Sequence, residues 1–184
     1  APTVVAEPEP EPEGPVMSAE MIGNILRVGA VATAVGLMVL VGFFLWARSG
    51  VLSAAEVSDM ASSRLYVALD EERNVATDLV QFDRGAVSLQ GMYLDYLDHP
   101  REPERWTRAM VFLDELEHYG KSASRDNAGS NVTQKLQRLR GAREEATLAR
   151  REYYDAAWSF PGVLAVGVGL APSPSFDVDS LGGP

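Results

Sequence analysis

The sequence predicts an all-α protein with a single N-terminal transmembrane helix, an antiparallel bundle of about three helices and an extended C-terminal tail. Three observations support this fold class. An uncharged apolar run extends from Val28 to Trp46, apolar residues then recur at 4-3 spacing, and two later segments carry apolar residues on one helical face. We expect four parts, namely an acidic arm at 1–17, the transmembrane helix at 18–48, the bundle at 49–160 and the tail at 161–184.

The arm alternates glutamate and proline in the stretch AEPEPEPEGP. Each proline removes a backbone donor and restricts φ, and like charges repel one another, so the arm should be extended and polyproline-like. Such a segment is typical of a solvated tail, and it can also serve as a strap that docks on a partner. The residues that would carry the docking interpretation are Glu7, Glu9, Glu11 and Glu13.

The run from Val28 to Trp46 predicts a helix that crosses a membrane. At about 1.5 Å per residue it spans about 28 Å, close to the hydrocarbon thickness of a bilayer. It begins too late and is too long for the apolar core of a signal peptide, so we expect it to remain as an anchor. Orientation stays open, because Arg27 on one flank is matched by Arg48 and Arg64 on the other.

Small residues recur four apart inside this run and predict a packing surface for other transmembrane helices. Such rows allow close approach of a second helix, although glycine and alanine are also common in membrane helices generally. The run contains no histidine, so it offers no imidazole to a haem or chlorophyll, and we expect no cofactor on it. The pairs are Gly29 with Thr33, Ala30 with Ala34, and Ala32 with Gly36.

The bundle is predicted from helix signals after the membrane run. Ser53 and Glu56 fit a capping box, which predicts a helix start there. His99 followed by Pro100 should end the first bundle helix, because the residue before a proline avoids the α region. The 4-3 stripe that we expect to face partner helices consists of Val75, Leu79, Phe82, Ala86, Leu89, Tyr93 and Tyr96.

Two further helices and the tail complete the predicted domain. A second helix should run from near Pro103 to near Gly120 with Trp106, Ala109, Leu113 and Leu116 inward, followed by a polar loop. A third should run from about Asn131 to Phe160 with an alanine-rich inner face and a charged outer face, which we expect to be solvated. The apolar stretch GVLAVGVGLA has no helical period, so it should lie extended on the bundle, on the membrane surface or on a partner. The predicted outer face comprises Arg138, Arg140, Arg143, Glu144, Glu145, Arg150, Arg151 and Glu152.

Composition excludes several classes of function. The net charge is −10, and from Arg48 onward 15 basic residues are interleaved with 21 acidic ones. A phosphate-tracking groove needs clustered lysine and arginine, so we expect no nucleic-acid partner. The chain contains no cysteine, which rules out disulfides and thiolate metal sites.

Residues that could carry catalysis are sparse. Asp95, Asp98, His99 and Glu102 have spacings that could converge on a metal ion, but Pro100 interrupts the helix and a charged helix end accounts for the same residues. With two histidines in the chain, no serine or threonine has a plausible base and orienting group. We therefore predict no catalytic, cofactor or metal site, no small-molecule substrate and no enzymatic activity.

The C-terminal segment LQRLRGAREEATLARREYYDAAWSFPGVLAVGVGLAPSPSF resembles the LemA family. The family's ARxxY element corresponds to Ala149, Arg150, Arg151 and Tyr153, its Phe-Pro to Phe160 and Pro161, its small-residue run to Ala165 and Gly169, and its closing aromatic to Phe176. Tyr154 stands where the family has asparagine, and the family's RRxDLIPNLV segment has no good counterpart, so the resemblance is divergent. It implies a bacterial membrane protein with a helical bundle and no established catalysis, and one branch of the family serves magnetosome biogenesis.

These observations predict a bacterial inner-membrane, single-pass protein that acts by binding. The leading hypothesis is a non-catalytic accessory or scaffold subunit of a larger membrane assembly, for example a photosynthetic reaction-centre and antenna complex or a respiratory complex. Its partners would be membrane lipid and other transmembrane subunits. The alternative is a stand-alone LemA-like protein that organises membranes or signals through homo-oligomers.

Overall fold

The computed structural model describes residues 18–81, 84–125 and 130–175. These residues form helices without a strand, which confirms the predicted all-α class. The chain divides into two compact units, residues 1–43 and 44–184. The helices are α1 (Ala19–Glu71), α2 (Val75–Val80), α3 (Val87–Asp98), α4 (Glu104–Arg125), α5 (Ser130–Trp158) and α6 (Gly162–Gly167), with a 3₁₀ turn at Arg84–Ala86 between α2 and α3.

Helix α1 continues through the position where the capping box predicted a new start. Ser53 and Glu56 both lie inside it, so that prediction is wrong. The residues between Trp46 and Ser53 include no proline and one glycine, Gly50, which costs a helix only about 1 kcal/mol. Ala47 and Val51 in this stretch are buried, so tertiary packing keeps the helix continuous.

The 4-3 stripe faces the core, as predicted, but it is divided among α2, the 3₁₀ turn and α3. Val75 and Leu79 are buried in α2, Ala86 in the 3₁₀ turn, and Leu89 and Tyr96 in α3. Gly85 lies within the 3₁₀ turn, and glycine disfavours a continuous α-helix. Phe82 of the predicted stripe lies outside the described residues. Helix α3 ends at Asp98, before His99 and Pro100, as predicted.

Helices α4 and α5 supply half of the buried residues of the main core. The inward residues predicted for α4 are buried, and Trp106 is among the largest fully buried side chains. Helix α4 continues past Gly120, where we predicted its end. A Cβ at Gly120 would lie 2.5 Å from Leu136 Cδ1, so this glycine serves close packing against α5 and does not terminate the helix.

The tail departs from the extended conformation that the sequence predicted. Residues Gly162–Gly167 form α6, and Gly169 follows with φ of 74°. The Leu170 amide donates to the Ala165 carbonyl at 2.8 Å and the Gly169 amide to the Val166 carbonyl at 3.0 Å, the bonding pattern of a Schellman cap. A six-residue helix is too short to show helical periodicity in the sequence. The sequence signal for this helix is therefore Gly169, which is typical of a helix C-terminus. Residues 172–175 are not helical, and Phe176 lies outside the described residues.

Candidate functional site

The N-terminal part of α1 is apolar on every side and exposed. Residues such as Val28, Leu37 and Met38 have more than half of their surface accessible. By length and composition α1 is the one helix among the described residues that could cross a membrane. This supports the predicted single-pass architecture, because large aliphatic side chains exposed around a whole helix are suited to lipid.

The predicted small-residue rows all lie in this exposed part of α1. At 100° per residue, Gly29, Ala32, Thr33 and Gly36 fall within an arc of about 100°, whereas the row of Ala30 and Ala34 falls beside it. The Thr33 hydroxyl donates to the Gly29 carbonyl at 2.9 Å, so its polar group is satisfied within the helix. A Cβ added at Gly29 or Gly36 would meet no atom within 4 Å.

In the second unit, Arg150 of α5 is buried, which corrects its predicted place on the solvated face. Only 5% of its surface is accessible, and its guanidinium lies 3.8 Å from the centre of the Trp106 ring. Arg150 Nε donates to Ser62 Oγ of α1 at 3.1 Å. A buried guanidinium requires such partners, because an unpaired charge in the core is costly.

Glu102 provides the charge that balances Arg150. It lies between α3 and α4, and its Oε1 accepts a bond from Arg150 Nη2 at 2.7 Å. The Tyr66 hydroxyl of α1 donates to the same oxygen. One carboxylate therefore connects α1, α5 and the α3–α4 connection.

Arg105 extends these contacts to α3. Its guanidinium lies 4.1 Å from the centre of the Tyr66 ring, and its Nη2 donates to Tyr96 Oη at 3.0 Å. Burial raises the pKa of the Tyr96 phenol above its ordinary value, although the neighbouring Arg105 lowers it in part. The phenol consequently stays neutral at physiological pH and can accept this bond. We call Ser62, Tyr66, Tyr96, Glu102, Arg105, Trp106 and Arg150 the arginine cluster.

The contacts of the arginine cluster indicate a structural role. Its one carboxylate is bonded to Arg150 and Tyr66, and both of its guanidiniums lie over aromatic rings. These groups satisfy one another and tie α1 and α5 to the consecutive helices α3 and α4. The cluster stabilises the arrangement of the helices.

The candidate metal ligands do not converge. Asp95 pairs with Arg108 at 3.1 Å, and His99 Nδ1 lies 2.8 Å from the Asp95 carbonyl oxygen. Glu102 belongs to the arginine cluster instead. Across residues 18–81, 84–125 and 130–175, no group of three or more histidine, aspartate or glutamate side chains could hold an ion.

A half-open cleft of about 180 Å³ lies between α4 and α5. Leucines form its apolar wall, and Glu117 at its rim pairs with Lys121, Arg140 and Arg143. Asp114 pairs with Arg143 as well. Because these cations already have carboxylate partners, the cleft does not define a ligand by charge.

A second, smaller core lies where α5 and α6 pack on the part of α1 that follows the apolar run. We call its buried members, which are mostly alanines, the alanine cluster. The Tyr153 hydroxyl donates to the Pro172 carbonyl at 3.1 Å, and burial raises the pKa of this phenol, which keeps it a donor. Arg48 Nε donates to the Leu170 carbonyl at 3.0 Å. The members are Ala47, Val51, Tyr153, Ala157, Ala165 and Ala171.

The large apolar residues around the alanine cluster are on its outside. Phe160 is 72% exposed and Val168 is 60% exposed, whereas Ala165 between them is fully buried. In and around α6, Gly162 and Ala165 are buried and Val163 and Val166 are half-buried, whereas Leu164 and the flanking Phe160 and Val168 are exposed. We call the exposed set the apolar patch, and it comprises Trp158, Phe160, Leu164, Val168 and Leu170.

The sequence predicts the small-residue rows of α1. It predicts neither the burial of Arg150 nor the apolar patch of the second unit. Arg150 was assigned to solvent because it stands in a run of charges, although it adjoins the buried stripe at Ala149 and Tyr153. The sequence predicts an extended strip where the apolar patch lies, whereas the structure has α6 there. Glu7, Glu9, Glu11 and Glu13 lie outside the described residues.

Comparisons with protein-family models, with curated proteins and with solved structures found no match to this chain. The LemA resemblance therefore remains a prediction from the quoted residues. Two of them, Tyr153 and Ala165, are members of the alanine cluster.

Proposed function

We propose that this protein is a single-pass, non-catalytic accessory or scaffold subunit of a larger assembly in a bacterial inner membrane. The observation that carries the proposal is the exposed apolar segment of α1, which a membrane would cover. The rest of the chain would then present surfaces to other subunits. A photosynthetic or a respiratory complex is the kind of assembly to examine first.

We call Gly29, Ala32, Thr33 and Gly36 of α1 the ridge. This ridge supports a protein partner within the membrane. Gly29 and Gly36 leave open space where side chains would stand, and Thr33 uses its hydroxyl within its own helix. A second helix can approach such a ridge closely, and dispersion between the two backbones then favours association.

The buried arginine cluster supports a role as a rigid platform. Ion pairs and aromatic contacts brace α1, α3, α4 and α5 in one arrangement. A rigid domain loses little conformational entropy on binding, which favours its use as a scaffold.

The alternative is a stand-alone LemA-like protein that acts through homo-oligomers. The observation in its favour is that Tyr153 and Ala165, from separate elements of the resembling segment, pack together in the alanine cluster. A motif that forms one structural unit is a better basis for a relationship than scattered identities.

Purification in a mild detergent, followed by mass spectrometry of co-migrating chains, tests the proposal. We expect this protein to migrate with other transmembrane chains in fixed proportion. If it migrated alone as a monomer, the accessory role would be wrong. Migration as a multiple of its own mass would favour the alternative.

A matched pair of glycine variants sharpens this test. Gly36→Leu places a large side chain on the ridge, whereas Gly42→Leu places the same side chain about 120° away around the helix. Neither glycine has a neighbour within 4 Å in the isolated chain. We expect G36L to reduce the recovery of partner chains and G42L to leave it unchanged. Equal recovery from both variants would exclude the ridge as the contact.

The acidic arm is tested by deletion of residues 1–16. Under the accessory hypothesis the deletion weakens co-purification, because the strap no longer docks. Under the homo-oligomer alternative, the oligomer keeps its size. A chain in which Glu7, Glu9, Glu11 and Glu13 are replaced by glutamine retains the prolines and is the control for charge.

A further inference from the structure

We propose that the apolar patch enters the lipid interface, so that α6 and its flanking residues form a membrane contact in addition to the transmembrane helix. The inference rests on the proposed function, because it requires α1 to cross a membrane. It adds that the helical domain itself touches lipid. The occupant of the patch is the boundary between headgroups and acyl chains.

The position of the patch along α1 is the first argument. The apolar run ends at Trp46, and Ala165 of α6 belongs to the same buried cluster as Ala47 and Val51. Val51 is about 7.5 Å farther along the helix axis than Trp46, since each residue adds about 1.5 Å. The headgroup layer of a bilayer is about 5–8 Å thick on each side, so these contacts lie at its depth.

A specific bond holds the patch at this level. Arg48, two residues after the end of the apolar run, donates through Nε to the carbonyl of Leu170, a member of the patch. The Tyr153 hydroxyl holds the next part of the chain through the Pro172 carbonyl. The segment from 158 to 172 is thus tied at Leu170 to Arg48 of α1, two residues after the apolar run ends, and at Pro172 to α5.

The amphipathic character of α6 is the second argument. Val168 donates its amide to the Leu164 carbonyl at 3.1 Å, so the two side chains lie on neighbouring positions of one face, and both are exposed. Gly162 and Ala165 occupy the buried face. Small residues inside and large ones outside are expected when the outer medium is apolar.

The composition of the patch matches a membrane interface. Trp158 and Phe160 are exposed, as is Trp46 at the end of the apolar run, and aromatic residues are enriched at headgroup level. The domain is acidic overall, so apolar contact and not attraction to anionic lipid should hold the patch. We therefore expect the contact in vesicles of phosphatidylcholine alone.

The experiment measures depth with spin labels, and the cysteine-free chain is a natural background for it. Single cysteines replace Val168 in the patch, Met38 in the transmembrane run and Val87 at the start of α3, each in the full-length chain reconstituted in phosphatidylcholine vesicles. Val87 is the matched control, since it is 56% exposed and Val168 is 60% exposed. Collisions of each label with oxygen and with a water-soluble nickel complex are compared by electron paramagnetic resonance.

We expect the label at 168 to show a several-fold loss of nickel collisions relative to the label at 87, because a polar complex is excluded from apolar surroundings. A label at 164 should give the same result. If the label at 168 is as accessible to nickel as the label at 87 while the label at 38 is protected, the inference is wrong and the membrane anchor stands. If the label at 38 is also accessible, the proposed function itself fails.

Two further outcomes identify another occupant. Dipolar broadening between labels at 168 would place a second copy of the chain on the patch. Loss of both nickel and oxygen collisions would place a tightly packed protein there. Either result overturns the lipid assignment.

Discussion

The two cores of the helical domain are built in opposite ways. The main core buries large side chains such as Trp106, Tyr96 and Phe112, and it includes the buried charge of Arg150. The alanine cluster buries small side chains, while Phe160 and Val168 beside it remain exposed. Burial of a large apolar side chain is worth about 1.5–3 kcal/mol in water, so the main core has the usual arrangement. Beside the alanine cluster, large apolar side chains stay exposed, so this free energy of burial is not gained there.

The difference indicates that the two cores face different surroundings. A domain in water gains free energy when its largest apolar residues turn inward. At a lipid interface that gain is absent, and close approach of helices through alanine and glycine becomes the favourable contact. We therefore expect the stability of the main core to depend on the bonds of the arginine cluster. The stability of the alanine cluster should depend on how closely its helix backbones approach.

Removal of the guanidinium from the main core has the largest expected effect. Arg150→Ala removes the cationic partner of Glu102, which keeps its bond from Tyr66, and it also removes the donor to Ser62 and the guanidinium over Trp106. Because Glu102 reaches solvent, we expect the free energy of unfolding to fall by about 2–4 kcal/mol, below the full cost of an uncompensated buried charge. Urea unfolding of the full chain in detergent, followed by circular dichroism, measures it.

The control for this change is the neighbouring residue. Arg151→Ala removes the same side chain from an exposed position of α5, and we expect a change within about 0.5 kcal/mol. Equal effects of the two substitutions would show that Arg150 acts only as a helix residue.

In the alanine cluster, a single methyl group should be the sensitive change. A Cβ at Gly162 would lie 1.8 Å from the Ala156 carbonyl oxygen, a backbone atom that cannot rotate away. We expect Gly162→Ala to cost about 1–3 kcal/mol and to speed hydrogen exchange in residues 162–171. Gly141→Ala in mid-α5 meets nothing within 4 Å and should instead stabilise by up to about 1 kcal/mol. Unchanged exchange in G162A would contradict the close approach of α5 and α6.

The smallest expected effects compare one hydroxyl in each core. Tyr66→Phe removes a donor to the Glu102 carboxylate and should cost about 0.5–1.5 kcal/mol. Tyr153→Phe removes the bond to the carbonyl of Pro172, an exposed residue to which water has access, so its cost should be smaller. Unfolding in urea ranks the two variants, and a larger loss from Y153F would reverse the comparison.

Much of the helical architecture could be predicted because it is local. An uncharged run of membrane length, a 4-3 stripe and a proline after His99 each act within a few turns of helix. The structure accordingly agrees on the apolar exposure of α1, on the burial of Leu79 and Leu89, and on the end of α3. Local signals failed at Ser53, where burial of the preceding residues kept α1 continuous, and at Gly120, where close packing and not termination required the glycine.

The sequence by itself determined the all-α class, the apolar segment and the inner faces of the long helices, because helical periodicity depends on neighbours three and four residues apart. Only the tertiary structure decided the burial of Arg150 and the packing of α6. The partners of Arg150 at Ser62 and Glu102 are 88 and 48 residues away, so no local pattern distinguishes it from Arg151. The exposure of Phe160 and Val168 accompanies the burial of Ala165 in one cluster with Ala47 and Val51 of α1, which are far from it in the chain.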